Sequence, residues 1–260
     1  KYIREKNSPY GSHVGMVLLF DSEKGIPLAM IEGASLTSIR TASVSALATK
    51  LMSKKEIKAM TILGCGEQAK RHILSMLTVR EPKNIYVWGR DFKKSELFSK
   101  KMKSIYNISV SPVEYAEDAV RKSDLICTTT SSSEPILKGE WVIPGSHINL
   151  VGAAVPTSAE ADEILVKKSR FITDYRPAAM AAAGELMRAI RNKDVTEDHI
   201  VAEIGEVASG KIKGRVNDNE ITVYKSLGVT AQDLGAAYLL YNKSIKEGFG
   251  TIINMMDYDE

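Results

Sequence analysis

The residues best placed to do chemistry lie where a short apolar run, MTIL at 60–63, is followed by GCGEQA at 64–69. A Gly-x-Gly-x-x-Ala sequence between a strand and a helix is typical of a dinucleotide-binding turn. Gly64 and Gly66 would let backbone N–H groups approach a pyrophosphate at the helix N-terminus, where the helix dipole favours negative charge. Glycines at this spacing also serve close packing of a helix on a strand, so the neighbouring elements have to support the interpretation.

The segments after this motif alternate between short apolar runs and longer amphipathic or polar stretches. Strands are predicted at 59–63, 84–88, 108–110, 125–129, 147–151 and 171–173. Helices are predicted between several of them, at 67–77, 93–105 and 115–121. Such alternation is typical of a parallel, doubly wound α/β sheet. The first strand-to-helix turn of this sheet carries the glycines, which favours the dinucleotide-binding interpretation.

A basic residue, Arg90, follows the second of these strands. An acidic residue in this place would accept hydrogen bonds from the ribose hydroxyls of NAD, whereas an arginine suits the 2′-phosphate of NADP. Lys93 and Lys94 stand nearby, although a solvated helix start would look the same. Asp91 is one place further on and keeps NAD open. The pattern predicts NADP(H) in preference to NAD(H).

Two later strand ends carry residues suited to a ligand crevice, which in this fold lies at the carboxyl ends of the strands. TTTSSS at 128–133 places hydroxyls after the fourth strand, although a polar loop without function would look similar. VGAAVP at 151–156 follows the fifth strand, and its small residues leave room for a nicotinamide ring.

The two ends of the chain have their own pattern. A β-hairpin is predicted at 14–20 and 27–31, and a helix is predicted from about 35 to 53, with N-caps offered by residues 35–38. Arg40 falls in the first turns of that helix, where it is mildly unfavourable unless it meets an anion; a solvated surface arginine is the alternative. A last helix at 230–246 carries Asp233 in its first turn, which is explained most simply as a dipole-stabilising residue.

Further elements are predicted as a helix at 176–191 and a strand at 220–225, with glycines breaking the chain between them.

Composition excludes several classes of function. The 260 residues are 44% hydrophobic and 26% charged, as in a soluble globular protein, and a net charge of +3 does not imply nucleic acid. No apolar stretch is long enough to span a membrane. Cys65 and Cys127 lie in apolar runs, so we expect small buried side chains in a reducing, cytoplasmic compartment.

No hydrolytic or metal-binding pattern is found in the sequence. The histidines are widely separated, and no two are four residues apart as ligands on a helix would be. A Gly-x-Ser-x-Gly elbow and a lysine-bearing P-loop are also missing. We therefore expect no metal site, and no catalytic residue is assigned.

Several ordered motifs make the chain resemble the ornithine cyclodeaminase and mu-crystallin family. They are LTSIRTA at 36–42, GCGEQA at 64–69, PGSHIN at 144–149, GEV at 205–207, and SLG followed by DL at 226–234. The resemblance covers nearly the whole chain. It implies a Rossmann domain at 51–214 and a second, smaller α+β domain built from both chain ends, 1–50 and 215–260. This second domain would bind substrate and carry the contact of a homodimer.

The resemblance also implies roles for individual residues. In such proteins the arginine matching Arg40 binds the substrate carboxylate, a lysine similar to Lys1 does so too, and Leu227 lines the substrate pocket. Cofactor contacts carry over to Thr41, Gly64, Gly66, Gln68, Ala69, Arg90, Thr128, Val151, Gly152 and Ser226. The usual N-terminal part, including an acidic substrate-binding residue, is expected to be missing before Lys1.

One departure from the family pattern bears on the reaction. Ornithine cyclodeaminases place an aspartate two residues before the proline of the loop after the fifth strand, whereas this chain has Ala154 before Pro156. A methyl group cannot accept a proton, so cyclodeaminase chemistry by that route loses its acid/base group. Mu-crystallin-like reductases lack the aspartate as well and favour NADP(H).

The leading hypothesis is therefore an NADPH-dependent reductase of a small imine carboxylate, such as a cyclic ketimine or pyrroline-2-carboxylate. The alternatives are an ornithine cyclodeaminase with bound NAD⁺, an amino-acid dehydrogenase or opine-type synthase, and an NADPH-binding protein without enzymatic activity.

Overall fold

The computed structural model describes residues 14–253, which form two compact units. The terminal unit combines the residues up to Arg40 with those from Thr230 onward, and the sheet unit runs from Thr41 to Val229. The strands are β1 (Met16–Phe20), β2 (Pro27–Glu32), β3 (Ala59–Leu63), β4 (Asn84–Trp88), β5 (Ser111–Val113), β6 (Leu125–Thr128), β7 (His147–Leu150), β8 (Ser169–Thr173), β9 (Ile200–Glu203) and β10 (Ile221–Lys225).

The helices follow the same chain order. They are α1 (Gly33–Met52), α2 (Glu67–Met76), α3 (Phe92–Tyr106), α4 (Ala116–Val120), α5 (Glu163–Lys168), α6 (Arg176–Ala182), α7 (Gly184–Arg191), α8 (Ile204–Ala208) and α9 (Thr230–Glu247), with a short 3₁₀ turn at Glu197–His199. None of the helices within 14–253 is long and apolar enough to cross a membrane.

The sheet unit is built on an eight-stranded sheet with the order β5-β4-β3-β6-β7-β10-β8-β9, and every pair in it is parallel. The chain leaves β3 in one direction and returns to its other side at β6, so the strand order reverses between these two neighbours. In open α/β sheets this reversal leaves the crevice in which ligands bind. The predicted Rossmann-type doubly wound sheet, with a smaller α+β unit from both chain ends, is confirmed.

Both faces of the sheet are covered by helices, as alternate residues of β6 illustrate. Leu125 and Cys127 pack in one apolar cluster with side chains of α2 and α3, including Ile73 and Phe98. Ile126 packs in a second cluster with side chains of α4, α5 and α7. Because both faces are buried, β3 and β6 are nearly continuous apolar runs, which made them easy to predict.

The strand predicted at 108–110 lies instead at Ser111–Val113. Asn107 ends α3 in the left-handed conformation with φ 55°, and Ile108 donates its N–H to Met102 O at 3.3 Å. These apolar residues are therefore used by the helix C-terminus before pairing with β4 begins.

Two other differences concern the second half of the chain. The helix predicted at 176–191 is divided at Ala183, whose φ of −81° and ψ of 88° are not helical. β9 and α8 were missed, since Gly205 suggested a break. A reciprocal capping box between Glu203 and Glu206 starts α8 there despite the glycine.

The domain boundaries predicted at 50/51 and 214/215 differ from the limits of the compact units. β10, which the sequence prediction placed outside the Rossmann domain, pairs with both β7 and β8 within the large sheet. The second half of α1 also belongs to the sheet unit. Its C-terminus is held there by Arg80, which donates to Thr49 O at 3.1 Å, and by Arg215, which donates to Met52 O at 2.7 Å. Cations at this end of a helix complement its dipole.

In the terminal unit, β1 and β2 form an antiparallel hairpin, and Leu19, Leu36 and Ala237 form its buried centre. The predicted N-caps at 35–38 were wrong, because α1 already begins at Gly33. The carboxylate of Glu32 caps it by accepting from Ala34 N and Ser35 N, each at 2.7 Å. These hydrogen bonds lower the pKa of Glu32, and the one from Ser35 has the largest effect.

His72 is fully buried and has a structural role. Its Nδ1 lies 2.8 Å from Gln68 O and its Nε2 lies 3.0 Å from Ser45 Oγ. Since a carbonyl can only accept, Nδ1 carries the proton and Nε2 accepts from the Ser45 hydroxyl. Burial lowers the pKa of His72 from 6.5 to about 4. Burial likewise lowers the pKa of His147 to about 3.

We expect this burial to make the protein less stable in mild acid. Below pH 6.5 the unfolded chain binds a proton at His72 that the folded chain does not, so stability falls until the pH reaches the folded pKa. Replacing His72 with Gln keeps one donor and one acceptor without a titrating ring. Urea unfolding of His72→Gln should therefore lose roughly 2–3 kcal/mol less than wild type between pH 7 and 4.5. Equal losses in the two proteins would contradict this role of His72.

Candidate active site

The turn between β3 and α2 requires glycine at its first position. Gly64 has φ +128°, and a Cβ there would lie 2.6 Å from Thr129 Oγ1 and 2.9 Å from Thr129 O. Gly64 N donates to Trp88 O at 2.8 Å, and Thr129 N donates to Leu63 O at 2.8 Å. The turn is thus held against the strand ends on both sides of it.

The second glycine faces open space at the N-terminus of α2. Gly66 is the N-cap residue, has φ −97°, and makes no side-chain cap; a Cβ built on it meets nothing within 4 Å. The first N–H groups of a helix have no acceptor within the helix. Ala69 is fully buried against the sheet, and the amide oxygen of Gln68 is buried without a hydrogen-bond partner in the described chain. Backbone N–H donors without an acceptor and open space beside them fit a bound pyrophosphate.

Arg90 follows β4, and its side chain is exposed. The neighbouring Asp91 is the N-cap of α3, with its carboxylate accepting from Lys93 N at 3.1 Å. That carboxylate is therefore used by the helix, while Arg90 remains available beside the turn.

The loops after β6 and β7 are joined by a carboxylate that the sequence did not reveal. Glu160 is fully buried, and its Oε1 accepts from the N–H and the hydroxyl of Thr130, each at 2.6 Å. Its Oε2 accepts from Thr128 Oγ1 at 2.7 Å, Gly152 N at 2.6 Å and Ala153 N at 3.3 Å. A side chain at Gly152 would fall on the carbonyl oxygen of Thr130, so only glycine fits there.

A buried ion pair lies behind this carboxylate. Lys225 and Glu185 are both fully buried, with Lys225 Nζ 3.0 Å from Glu185 Oε2. Lys225 Nζ also donates to Ala153 O at 2.6 Å, and Glu185 Oε1 accepts from Glu160 N at 2.9 Å. The one signal in the sequence was a lysine at the end of the apolar strand ITVYK, where a buried cation needs a partner.

The loop after β10 is fixed in a similar way. Asp174 Oδ2 accepts from Leu227 N at 2.8 Å and from Gly228 N at 2.6 Å, and Gly228 has φ +86°. Ser226 N donates to Leu150 O at 2.9 Å. Val151 N, in turn, donates to Thr128 O at 3.1 Å.

The structure therefore brings Thr128, Val151, Gly152, Ser226 and Leu227 together at the carboxyl edge of the sheet. Their roles toward cofactor and substrate stay predictions. Thr41 is buried in the part of α1 that belongs to the sheet unit.

Arg40 belongs to the terminal unit. It lies about two turns into α1, not in the first turns, because the helix begins earlier than predicted. Its Nε lies 2.8 Å from Asp233 Oδ1, and its Nη1 donates to Gln232 Oε1 at 3.1 Å. Asp233 does lie in the first turn of α9, but it also holds this arginine. Lys1 lies outside the described residues.

Burial affects the acidity of both cysteine thiols. Burial raises the pKa of the Cys127 thiol to about 12 and also raises that of Cys65. Between residues 14 and 253 no group of His, Cys, Asp or Glu side chains is arranged to hold a metal ion.

The parallel sheet, with its glycine turn at the point of strand reversal, defines a Rossmann-type dinucleotide-binding fold. The model of the ornithine cyclodeaminase/mu-crystallin family matches residues 2–248, and the chain belongs to that family.

Individual relatives are similar over most of this chain. The Delta(1)-pyrroline-2-carboxylate reductase of Bacillus thuringiensis subsp. konkukian is 34% identical over 240 residues, covering 92% of this chain and 74% of that protein. Ketimine reductase mu-crystallin of Mus musculus is 36% identical over 241 residues, covering 93% and 73%. The solved Thermococcus litoralis Delta(1)-pyrroline-2-carboxylate reductase, in complex with NADH and L-proline, has a TM-score of 0.90 and 34% identity, covering 94% and 76%.

The two glycines of the turn should fail in different ways when replaced by alanine. Gly64→Ala should cost about 2–4 kcal/mol of folding stability because of its positive φ and the collision with Thr129. Gly66→Ala should change stability by less than about 1 kcal/mol yet weaken dinucleotide binding by at least about tenfold, because its Cβ fills the phosphate space. Urea unfolding and titration calorimetry with NADPH and NADH measure both. Wild-type affinity in Gly66→Ala would contradict a pyrophosphate at this turn.

Proposed function

We propose that this protein is an NADPH-dependent reductase of a small cyclic imine carboxylate of the ketimine or pyrroline-2-carboxylate type. The observation that carries the proposal is Ala154 in the loop after β7, among residues suited to a nicotinamide cofactor. A methyl group there leaves hydride delivery possible and removes the acid/base group of cyclodeamination. Relatives named as reductases of such imines, similar over more than nine-tenths of this chain, support the same chemistry.

In this proposal the residues of the chain have the following roles. The N-terminus of α2 binds the pyrophosphate, and Arg40 binds the substrate carboxylate, with Lys1 as a second cation. Asp233 and Gln232 hold Arg40 through Nε and Nη1. A guanidinium has five N–H donors, more than these two bonds require. The bound dinucleotide supplies the hydride. An imine that is already protonated in water needs no strong acid from the protein.

NADP(H) is the preferred dinucleotide in this proposal, because Arg90 is exposed after β4 while Asp91 is used as a helix cap. The Thermococcus litoralis relative was solved with NADH, and an archaeal alanine dehydrogenase dimer, 29% identical with a TM-score of 0.88, with NAD. The ratio of kcat/KM values for NADPH and NADH measured on this protein tests the preference.

The terminal unit is proposed to carry substrate-binding residues and the contact of a homodimer. Met16, Leu18 and Phe20 alternate along β1 and are 62%, 55% and 52% exposed. Leu239, on α9 of the same unit, is 69% exposed. Exposed apolar side chains in such number mark an interaction surface. Nucleic acid and membrane partners are not proposed. Two free cysteines fit a reducing cytoplasm.

The test is NADPH oxidation with pyrroline-2-carboxylate, piperideine-2-carboxylate, and pyruvate plus amines. We expect turnover with a cyclic imine, and Arg40→Leu should raise its KM by about ten- to a hundredfold because a charge-assisted bond to the carboxylate is lost. Arg121→Leu, on the exposed end of α4, is the matched control and should behave as wild type. Ammonia release from ornithine, with no oxidation of NADPH by any substrate, would refute the reductase assignment.

Arg90→Asp should move the preference from NADP(H) toward NAD(H). The substitution removes a partner for the 2′-phosphate and adds repulsion, so the ratio of kcat/KM values for NADPH and NADH should fall by at least about tenfold. Lys122→Asp makes the same change of charge on the exposed end of the α4 segment and should leave the ratio as it is. An unchanged ratio in Arg90→Asp would mean that Arg90 does not contact the phosphate.

A further inference from the structure

Glu160 differs from the other buried carboxylates in the number of backbone donors it satisfies. Its Oε1 takes Thr130 N, and its Oε2 takes Gly152 N and Ala153 N. Backbone N–H groups cannot turn away from an unsuitable partner as hydroxyls can. The two carboxylate oxygens are therefore matched to donors fixed on two different loops.

These donors belong to neighbouring strand ends. Thr130 follows β6, Gly152 and Ala153 follow β7, and the two strands pair in parallel. No side chain separates the loops, because a Cβ on Gly152 would overlap Thr130 O. Their spacing is thus set by direct backbone contact and by one carboxylate.

Glu160 is itself held in place from behind. Its N–H donates to Glu185 Oε1 at 2.9 Å, and Glu185 pairs with Lys225. Lys225 Nζ also donates a hydrogen bond to Ala153 O at 2.6 Å. Ala153 is consequently bound at its N–H by Glu160 and at its carbonyl by Lys225, all within fully buried side chains. The arrangement is a closed network that leaves the backbone of Ala153 little freedom.

We infer that Glu160 is a positioning residue for the nicotinamide half of the cofactor, an inference that rests on the proposed function. A Rossmann sheet consists of two mononucleotide-binding halves that meet where the strand order reverses. The glycine turn and Arg90 belong to the half with β3 and β4, which takes the adenosine side. β6 and β7 belong to the other half, so the loops that Glu160 joins are those beside the nicotinamide ring. Glu160 touches neither reactant and acts through this backbone.

Glu160→Gln is a sharp probe because no orientation of the amide suits the site. If the NH₂ group replaces Oε1, it faces Thr130 N; if it replaces Oε2, it faces Gly152 N and Ala153 N. Either way, backbone donors meet a donor, and the two loops should move apart. Glu163→Gln, made three residues further on at the start of α5, is the matched control.

The experiment compares the dissociation constants of NADPH and of 2′,5′-ADP, which lacks the nicotinamide half, by titration calorimetry. Glu160→Gln should weaken NADPH binding by about tenfold or more and leave 2′,5′-ADP within about twofold of wild type. Hydride transfer from stereospecifically deuterated NADPH should also lose part of its facial selectivity. Glu163→Gln should match wild type in all three measurements.

Equal weakening of both ligands in Glu160→Gln would overturn the inference, because it would indicate a general loss of structure. Unchanged NADPH binding would overturn it as well. If Glu160→Gln does not fold, Thr130→Val removes a single hydroxyl donor to Oε1 and should show the same selective loss at smaller size. A selective loss in a protein that reduces no imine would support the positioning role and refute the reductase proposal, so the two can fail separately.

Discussion

Backbone N–H groups that emerge at the carboxyl edge of the parallel sheet need acceptors, and buried carboxylates supply them. Glu160 takes the donors of the loops after β6 and β7, and Asp174 takes those of the loop after β10. A buried donor without a partner would cost about 1–3 kcal/mol, so these acidic side chains stabilise loop conformations that have no ladder partner. The shape of the edge depends on them.

The turn before α2 has no side-chain cap of this kind. Gly66 provides no side-chain cap, and the space that its missing side chain would occupy is open. Backbone N–H groups need acceptors in both places. At this turn the requirement indicates a ligand, whereas at the other loops internal carboxylates meet it. A helix N-terminus alone would say little, but this one lies at the reversal of strand order and beside a glycine that the backbone requires.

Local patterns in the sequence predicted the elements well where one physical effect dominates. Apolar runs located β3 and β6 to within a residue, because those strands are buried on both faces. The predicted bounds of β4 and β7 were equally close, although Asn84 of β4 is exposed and β7 contains the polar residues His147 and Asn149. The pattern failed where a helix C-cap competed with strand pairing for the same residues. At Asn107 the left-handed conformation kept the next residues in the C-cap of α3. Glu160 could not be found, because an acidic residue in a loop looks the same whether it meets solvent or backbone donors. Its partners lie up to 32 residues away.

The position of Ala154 shows how the same loop backbone can support several reactions. The residue before it is bound at its N–H by Glu160 and at its carbonyl by Lys225, while Ala154 itself is exposed. The loop conformation is therefore determined without any contribution from the side chain at 154. A carboxylate or a methyl group can stand there at little cost to folding, because neither is needed to satisfy a buried donor. The choice between proton-assisted chemistry and simple hydride delivery can thus change while the surrounding backbone stays the same.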